Sequence, residues 1–187
     1  GGAGNDTISG GGGSDNLITN GTFEGDNLQS GYLPTPPQGW TLMSGSEGSG
    51  PQVHSFSDGA DVYLDTSNYV GGSSGLQQDT GVSYNSAASY KLTLDVGSNF
   101  QDTAPVTAEI FVDTGSGLVS LGSQTFTLPA SSEDAFVTDA IDLMIPANAS
   151  GVTGTLVVQI STTANSPSYT QALIDNVSLT TTENSIG

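Results

Sequence analysis

The run SYKLTLDV at residues 89–96 decides the fold class. Its second, fourth, sixth and eighth positions carry large apolar side chains, and the positions between them are polar or charged. Because successive side chains of a strand point to opposite faces, this period of two predicts a half-buried β-strand. The runs VTAEIFV at residues 106–112 and LVVQI at residues 156–160 repeat the period.

In the rest of the chain, no window shows a convincing 3.6-residue apolar period. Further strand-like runs occur there, separated by turn residues. We predict strands at Trp40–Met43, Gln52–Phe56, Asp61–Asp65, Leu76–Thr80, Tyr90–Val96, Val106–Val112, Ser123–Leu128, Phe136–Ile145, Thr155–Ser161 and Ala172–Leu179. Short strands with long early loops predict an all-β, two-sheet sandwich of the jelly-roll type.

The charge of the chain excludes several classes of partner. Its 187 residues include 19 acidic side chains and one basic side chain, Lys91, for a net charge of -18. Such a surface repels phosphate backbones and anionic lipid heads, so we expect no nucleic-acid binding and no membrane insertion. Strongly anionic polysaccharides are unfavourable ligands unless calcium bridges the two surfaces. Divalent cations are the natural counter-charge of these carboxylates.

The chain has no cysteine, which excludes a disulfide framework and thiol chemistry. We find neither a signal peptide nor an apolar stretch long enough to span a bilayer. Because the chain begins inside a repeat, we infer that it is a piece of a longer protein. We expect it to be a monomeric module within that larger chain.

The first 18 residues read as two nine-residue units, GGAGNDTIS and GGGGSDNLI. Glycine occupies the first, second and fourth positions of both units, aspartate the sixth, and Ile8 or Leu17 the eighth. This phase resembles the nonapeptide repeat of RTX proteins, in which turn carbonyls and aspartate bind Ca²⁺. The resemblance implies metal ligands at Gly2, Gly4, Asp6, Gly11, Gly13 and Asp15. A flexible Gly/Ser linker is the alternative, but it does not explain the shared phase.

The RTX resemblance also implies a location. RTX proteins typically leave Gram-negative bacteria by type I secretion, so we expect a secreted or cell-surface parent protein.

A second resemblance covers residues 19–181. The segments NGTFE (20–24), GW (39–40), SYKLTLDV (89–96) and IDNVSL (174–179) follow the order seen in galactose-binding-like jelly rolls. This group includes the carbohydrate-binding modules of families 4, 9 and 22. The resulting domain scheme is an RTX roll at 1–18, a jelly roll at 19–181 and a tail at 182–187. One fold hosts many functions, so the ligand is less specifically implied than the fold.

The second resemblance implies a structural Ca²⁺ where the first strand meets the last. Its side-chain ligands would be Glu24 and Asp175, assisted by main-chain carbonyls around Asn20 and Gly21.

The phase of the last strand favours the same site. If Leu173, Val177 and Leu179 face the core, Asp175 also points inward, and a buried carboxylate needs a partner. With one lysine and no arginine in the chain, a metal ion is the favoured partner. The alternative is that Asp175 lies at a β-bulge and stays solvated.

Aromatic side chains are the candidates for contacts with sugar rings. Trp40 is expected to pack into the sandwich, whereas tyrosines in turn-rich segments are better stacking groups. Phe111 is out of phase with its apolar neighbours, so it either fills the opposite sheet face or is exposed. The predicted ligand-binding residues are Tyr32, Tyr63, Tyr69, Tyr169, Gln77 and Gln78, with Asp61, Asp65 and Asn68 as further hydrogen-bonding candidates.

The chain offers little for catalysis. Its one histidine, His54, is expected on a strand surface, and neither G-x-S-x-G nor H-E-x-x-H occurs. We therefore predict a protein that is not an enzyme: a calcium-stabilised carbohydrate-binding module that binds a polysaccharide or glycan. The alternative is a structural or adhesion spacer without a glycan ligand. A cryptic glycosidase would need two carboxylates that converge in one cleft.

Overall fold

The computed structural model describes residues 15–24, 36–43, 50–56, 59–65, 73–98, 105–127, 135–163 and 171–183. These residues form β-strands and connecting turns, and they include no helix that could span a membrane. The strands are β1 (Thr41–Leu42), β2 (Gly50–Phe56), β3 (Gly59–Asp65), β4 (Ser73–Ser83), β5 (Ala88–Ser98), β6 (Val106–Asp113), β7 (Leu118–Phe126), β8 (Ala135–Ile145), β9 (Thr155–Thr163) and β10 (Gln171–Glu183).

The strands form two five-stranded antiparallel sheets. Sheet I has the order β1-β4-β9-β6-β7, and sheet II has the order β2-β3-β10-β5-β8. The sheets share one core, so the predicted all-β jelly-roll sandwich is confirmed.

The alternating runs supply the core as the sequence predicts. Leu92, Leu94 and Val96 of β5 are fully buried, and so are the alternate residues of β6 and β9. Each such side chain contributes about 1.5–3 kcal/mol relative to an exposed one. The alternation therefore fixes which face of each strand is internal.

Strand β7 begins earlier than predicted. It starts at Leu118, whereas the sequence pattern places its start at Ser123. Residues 118–120 are exposed at the edge of sheet I, so they carry no apolar alternation that could identify a strand.

The described residues before β1 complete the edge of β10. The Leu17 N–H donates to the Leu179 carbonyl at 2.7 Å, and the Val177 N–H donates to the Gly21 carbonyl at 2.8 Å. The Asn16 side chain makes the hydrogen bonds that a neighbouring strand would otherwise make. Its Oδ1 accepts from the Leu179 N–H, and its Nδ2 donates to the Val177 carbonyl. The main-chain groups of Val177 and Leu179 on this edge are thereby satisfied, as buried backbone requires.

The same segment is anchored in the core. Ile18 and Phe23 are buried, and the Phe23 ring packs against Trp40 with centroids 5.9 Å apart. The Trp40 indole N–H donates to the Asn20 carbonyl at 3.2 Å. The expectation that Trp40 packs into the sandwich is confirmed. Leu17, assigned by the nonapeptide pattern to the inside of a roll, also packs against the sandwich core.

A β-bulge in β10 changes which way Asp175 points. The register with β5 shifts between Asp175 and Ser178, so Ile174 pairs with Val96 on the inner face and Asp175 pairs with Asp95 on the outer face. Asp175 is half-buried there. The expectation that Asp175 shares the inward phase of Val177 is therefore wrong, and the alternative of a bulge position is correct.

Candidate functional site

The outer face of sheet I carries a row of polar side chains. The pairing registers place Thr41 opposite Gln77, Gln77 opposite Gln159, Gln159 opposite Glu109, and Glu109 opposite Ser123. Directly opposite residues of an antiparallel pair have Cβ atoms about 4.5–5.5 Å apart. The row therefore crosses the whole sheet, perpendicular to the strands.

Hydrogen bonds hold the centre of this row. Nε2 of Gln159 donates to Oε1 of Gln77 at 2.7 Å, and Oγ of Ser120 donates to Oε1 of Glu109 at 2.5 Å. An amide has two donor hydrogens and two acceptor lone pairs, so one such bond fixes its plane without exhausting its capacity. The result is a pair of oriented amides on a solvent-facing sheet surface.

Apolar side chains lie in the neighbouring row. Phe111 of β6 and Val157 of β9 are opposite each other, two positions along their strands from Glu109 and Gln159. Phe111 is half-buried and lies on the outer face, because its neighbours Ile110 and Val112 are fully buried inside. This settles the open question about Phe111, and it places an aromatic ring beside the amide pair.

On the other side of the polar row, Met43 crosses the face over Gly75. A Cβ at Gly75 would lie 2.5 Å from the Met43 sulfur, so only glycine leaves room for the thioether there. The amide pair is thus bordered by apolar groups on both sides.

The outer face of sheet I carries neutral and acidic side chains. Glu109 is half-buried in the row. The single lysine, Lys91, lies on sheet II, where its ammonium group is 3.1 Å from a carboxylate oxygen of Asp142. No cation therefore accompanies the polar row, and an anionic ligand would meet repulsion from Glu109.

The two predicted glutamines occupy opposite sides of the sheet. Gln77 lies on the outer face, whereas Gln78 is buried and holds the main chain of Thr19. Its Oε1 accepts from the Thr19 N–H and its Nε2 donates to the Thr19 carbonyl, both at 2.8 Å. Gln78 thus ties sheet I to the segment before β1, and Gln77 is the glutamine that lies on the outer face.

Of the four predicted tyrosine contacts, Tyr63 is the one within the described residues. Tyr63 lies in β3, opposite Gln52 and Leu173. The predicted sugar contacts that fall outside the described residues are Tyr32, Asn68, Tyr69 and Tyr169. Asp61 and Asp65 lie in β3, and the single histidine, His54, lies in β2. Their roles stay predictions.

The predicted calcium ligands of the repeat fall largely outside the described residues. These are Gly2, Gly4, Asp6, Gly11 and Gly13, whereas Asp15 is described and exposed. Within the described ranges, no three histidine or acidic side chains converge on a point that could hold a metal ion.

The junction of the first and last segments does form where the second resemblance places it. Gly21 lies against Val177, two residues from Asp175, and the exposed Glu24 follows closely in sequence. The carbonyls of Asn20 and Gly21 already accept hydrogen bonds from Trp40 and Val177. Hard carboxylate and carbonyl oxygens suit Ca²⁺, which takes 6–8 such ligands. The oxygen types at this junction suit Ca²⁺, but main-chain oxygens and water would have to supply most of its coordination shell.

Sequence reasoning missed Gln159 and Glu109. Both alternate with fully buried residues of β9 and β6, so the period of two could have assigned them to the outer face. What the pattern does not contain is the register that brings them beside Gln77.

Comparisons with known proteins identify the family. Residues 14–180 match the HpiC1-like family, whose model is described as HpiC1 cyclase. The chain belongs to the HpiC1-like family. No curated protein sequence matches this HpiC1-like chain.

Solved structures share the fold of this HpiC1-like chain at low identity. The xylan-binding domain CBM22-2 of Paenibacillus barcinonensis Xyn10C is 12% identical with a TM-score of 0.54, over 87% of this chain and 98% of that domain. A CBM4 structure is 17% identical with a TM-score of 0.50, over 78% of this chain and 96% of the module. The fold is therefore that of carbohydrate-binding modules.

Larger proteins contain the same fold as one part. An arabinose-bound GH51 α-L-arabinofuranosidase is 13% identical with a TM-score of 0.64 over 89% of this chain, and the chain spans 26% of that protein. It spans 21% of the tailspike protein 4 fragment from bacteriophage CBA120, with 16% identity and a TM-score of 0.56 over 88% of this chain.

Proposed function

We propose that this chain is a sugar-binding module and that the outer face of sheet I is its binding surface. The observation that carries the proposal is the hydrogen-bonded amide pair Gln77–Gln159 beside the Phe111 ring. Planar amides can bond to neighbouring sugar hydroxyls, while an aromatic or aliphatic side chain covers the apolar CH face of the ring. The fold shared with carbohydrate-binding modules supports this assignment.

The ligand that suits this surface is a neutral polysaccharide. The half-buried Glu109 and the net charge of -18 oppose a uronate-rich polymer, unless calcium bridges the two. One of the similar modules is described as a xylan-binding domain. Neutral xylans and glucans are therefore the first candidates for this chain.

Calcium is the second part of the proposal. We infer that Ca²⁺ binds the nonapeptide units before residue 18 and the junction of Glu24 with Asp175. The aspartate phase of the repeats and the carboxylate at the β10 bulge support these sites. A secreted parent protein of a Gram-negative bacterium is the setting in which such repeats function, and we propose it for this chain.

A non-catalytic role is part of the same proposal, and the family description names a competing one. The match to a model described as HpiC1 cyclase favours an enzyme with cyclase activity. A spacer without any ligand is the third possibility. Of these three functions, the sugar-binding role alone predicts glycan binding.

The test is a glycan screen with the full chain, run once in millimolar-range calcium and once in EDTA. Binding to a neutral polysaccharide is expected, and Gln77→Ala and Gln159→Ala should each weaken it. One lost hydrogen bond of about 0.5–1.5 kcal/mol corresponds to about a twofold to tenfold weaker Kd. Gln38→Ala is the matched control, because this exposed glutamine lies in the turn before β1 and is not a member of the polar row.

Two outcomes would overturn the proposal. If the folded protein bound no glycan under either condition, the spacer or the cyclase would replace the sugar-binding role. If a glycan bound but neither glutamine variant changed its Kd, the binding surface would lie elsewhere.

A further inference from the structure

An exposed aromatic ring lies flat on the outer face of sheet II. Phe136 of β8 pairs with Gly97 of β5, next to the inward-facing Val96. A Cβ placed on Gly97 would be 3.1 Å from Cδ1 and Cγ of the Phe136 ring and 3.2 Å from Cδ2. Three neighbouring ring atoms can be nearly equidistant from that point only if the ring turns its face to the glycine. One face of Phe136 thus rests on Gly97, and 38% of the residue remains exposed.

The absence of a side chain at Gly97 is what allows this arrangement. Contacts of 3.1 Å are tighter than ordinary van der Waals distance, so a Cβ there would require the ring to shift by a few tenths of an ångström. On its other side Gly97 pairs with Leu173, which is buried. The Phe136 ring therefore packs on an apolar surface, and its solvent-facing side forms an aromatic platform.

Carboxylates lie to one side of this platform along the strands. Asp95 is on the same face as Gly97, two residues along β5 and so about 7 Å away. Asp175 is directly opposite Asp95 on β10, and the exposed Asp139 lies in the β8 bulge that donates its N–H to Asp95. Within the described ranges these groups do not form a metal-binding cluster.

Little positive charge balances the carboxylates of Asp95, Asp139 and Asp175. Lys91, the chain's one basic side chain, is already paired with Asp142 at 3.1 Å. The platform therefore lies in a strongly negative potential. An aromatic face attracts a cation through its quadrupole, and neighbouring carboxylates strengthen the attraction.

We propose that the Phe136 platform binds the protonated amino groups of an amino-sugar glycan. The ring face suits both an ammonium group and the flat CH face of a pyranose, and the exposed carboxylate of Asp139 can accept from ammonium and hydroxyl donors. Charge complementarity selects this cationic glycan over neutral and anionic ones. The site lies on sheet II, whereas the Gln77–Gln159 face lies on sheet I, so it does not depend on that sugar-binding surface.

The experiment compares two oligomers of equal length on the full chain by titration calorimetry. A glucosamine oligomer, at a pH where its amines are protonated, should bind more tightly than the neutral N-acetylglucosamine oligomer. Phe136→Ala should weaken binding of the glucosamine oligomer roughly twofold to fivefold, given a cation–π contribution of about 0.5–1 kcal/mol at an exposed ring. Leu118→Ala is the matched control, because Leu118 is similarly exposed at 40% but lies at the edge of sheet I.

The Phe136 variant separates a specific site from general attraction to an acidic protein. It leaves the net charge at -18, so unchanged binding in folded Phe136→Ala would overturn the platform. Equal affinity for the two oligomers would contradict the proposal that the site recognises the ammonium charge.

Discussion

The Asn176 side chain donates a 2.9 Å hydrogen bond to Oδ2 of Asp95 on the neighbouring strand. Oδ1 of the same carboxylate accepts from the Asp139 N–H at 2.8 Å. Asp139 and Asn176 have left-handed backbone conformations, with φ of 48° and 52°, and each lies where the register with β5 shifts. Bulges leave residues without ladder partners. One buried carboxylate thus supports irregular backbone in both strands that flank β5.

The first prediction concerns this carboxylate. Asp95→Ala leaves a main-chain N–H and an amide without their acceptor, so the free energy of unfolding should fall by about 1–3 kcal/mol. Chemical denaturation measures the change. Asp79→Ala removes the same charge, but Asp79 is exposed and accepts only from the nearby Gly81 N–H, so a loss within about 0.5 kcal/mol is expected. Equal losses in both variants would show that Asp95 has no special role.

The second prediction separates two adjacent glutamines. Gln78→Ala removes both hydrogen bonds to the Thr19 main chain and should destabilise the protein by about 1–3 kcal/mol. Gln77→Ala should leave the melting temperature nearly unchanged and weaken glycan binding instead. Thermal unfolding and a binding titration on both variants check this. A destabilised Gln77 variant with a fully stable Gln78 variant would contradict the placement of the two side chains.

The third prediction concerns the contact between the first and last segments. A Cβ on Gly21 would lie 2.0 Å from the Val177 carbonyl oxygen, which is main chain and cannot rotate away. Gly21→Ala should therefore separate the segment from β10 and cost at least about 1–3 kcal/mol, the range for overpacking. Gly151→Ala is the control, since nothing lies within 4 Å of its Cβ position. Similar unfolding free energies for the two variants would refute the close approach.

The fourth prediction tests the proposed calcium sites. Ligands that bind only the folded state raise its stability, so EDTA should lower the melting temperature of the full chain. Asp175→Ala should reduce the number of bound calcium ions in a titration, whereas Asp79→Ala should not. An unchanged melting curve in EDTA would reject both proposed sites, and an unchanged stoichiometry in Asp175→Ala would reject this ligand alone.

The strands and the fold class could be predicted because their signal is local. In β5, β6 and β9 a period of two separates the internal face from the external one, and the structure buries the predicted residues of all three strands. The burial of Trp40 followed from its place beside a glycine in a jelly-roll landmark. The start of β7 could not be predicted in this way, because an exposed edge strand needs no apolar alternation.

The sequence by itself determined an acidic, all-β sandwich, since composition and alternation depend on residues that are near in the chain. Only the tertiary structure decided which polar residues meet. Gln77 and Gln159 are far apart in sequence, and their contact depends on the register between β4 and β9. The direction of Asp175 depends on a bulge, because one extra residue moves the side chain to the other face of the sheet. Registers and bulges arise from the packing of distant strands, which no local pattern contains.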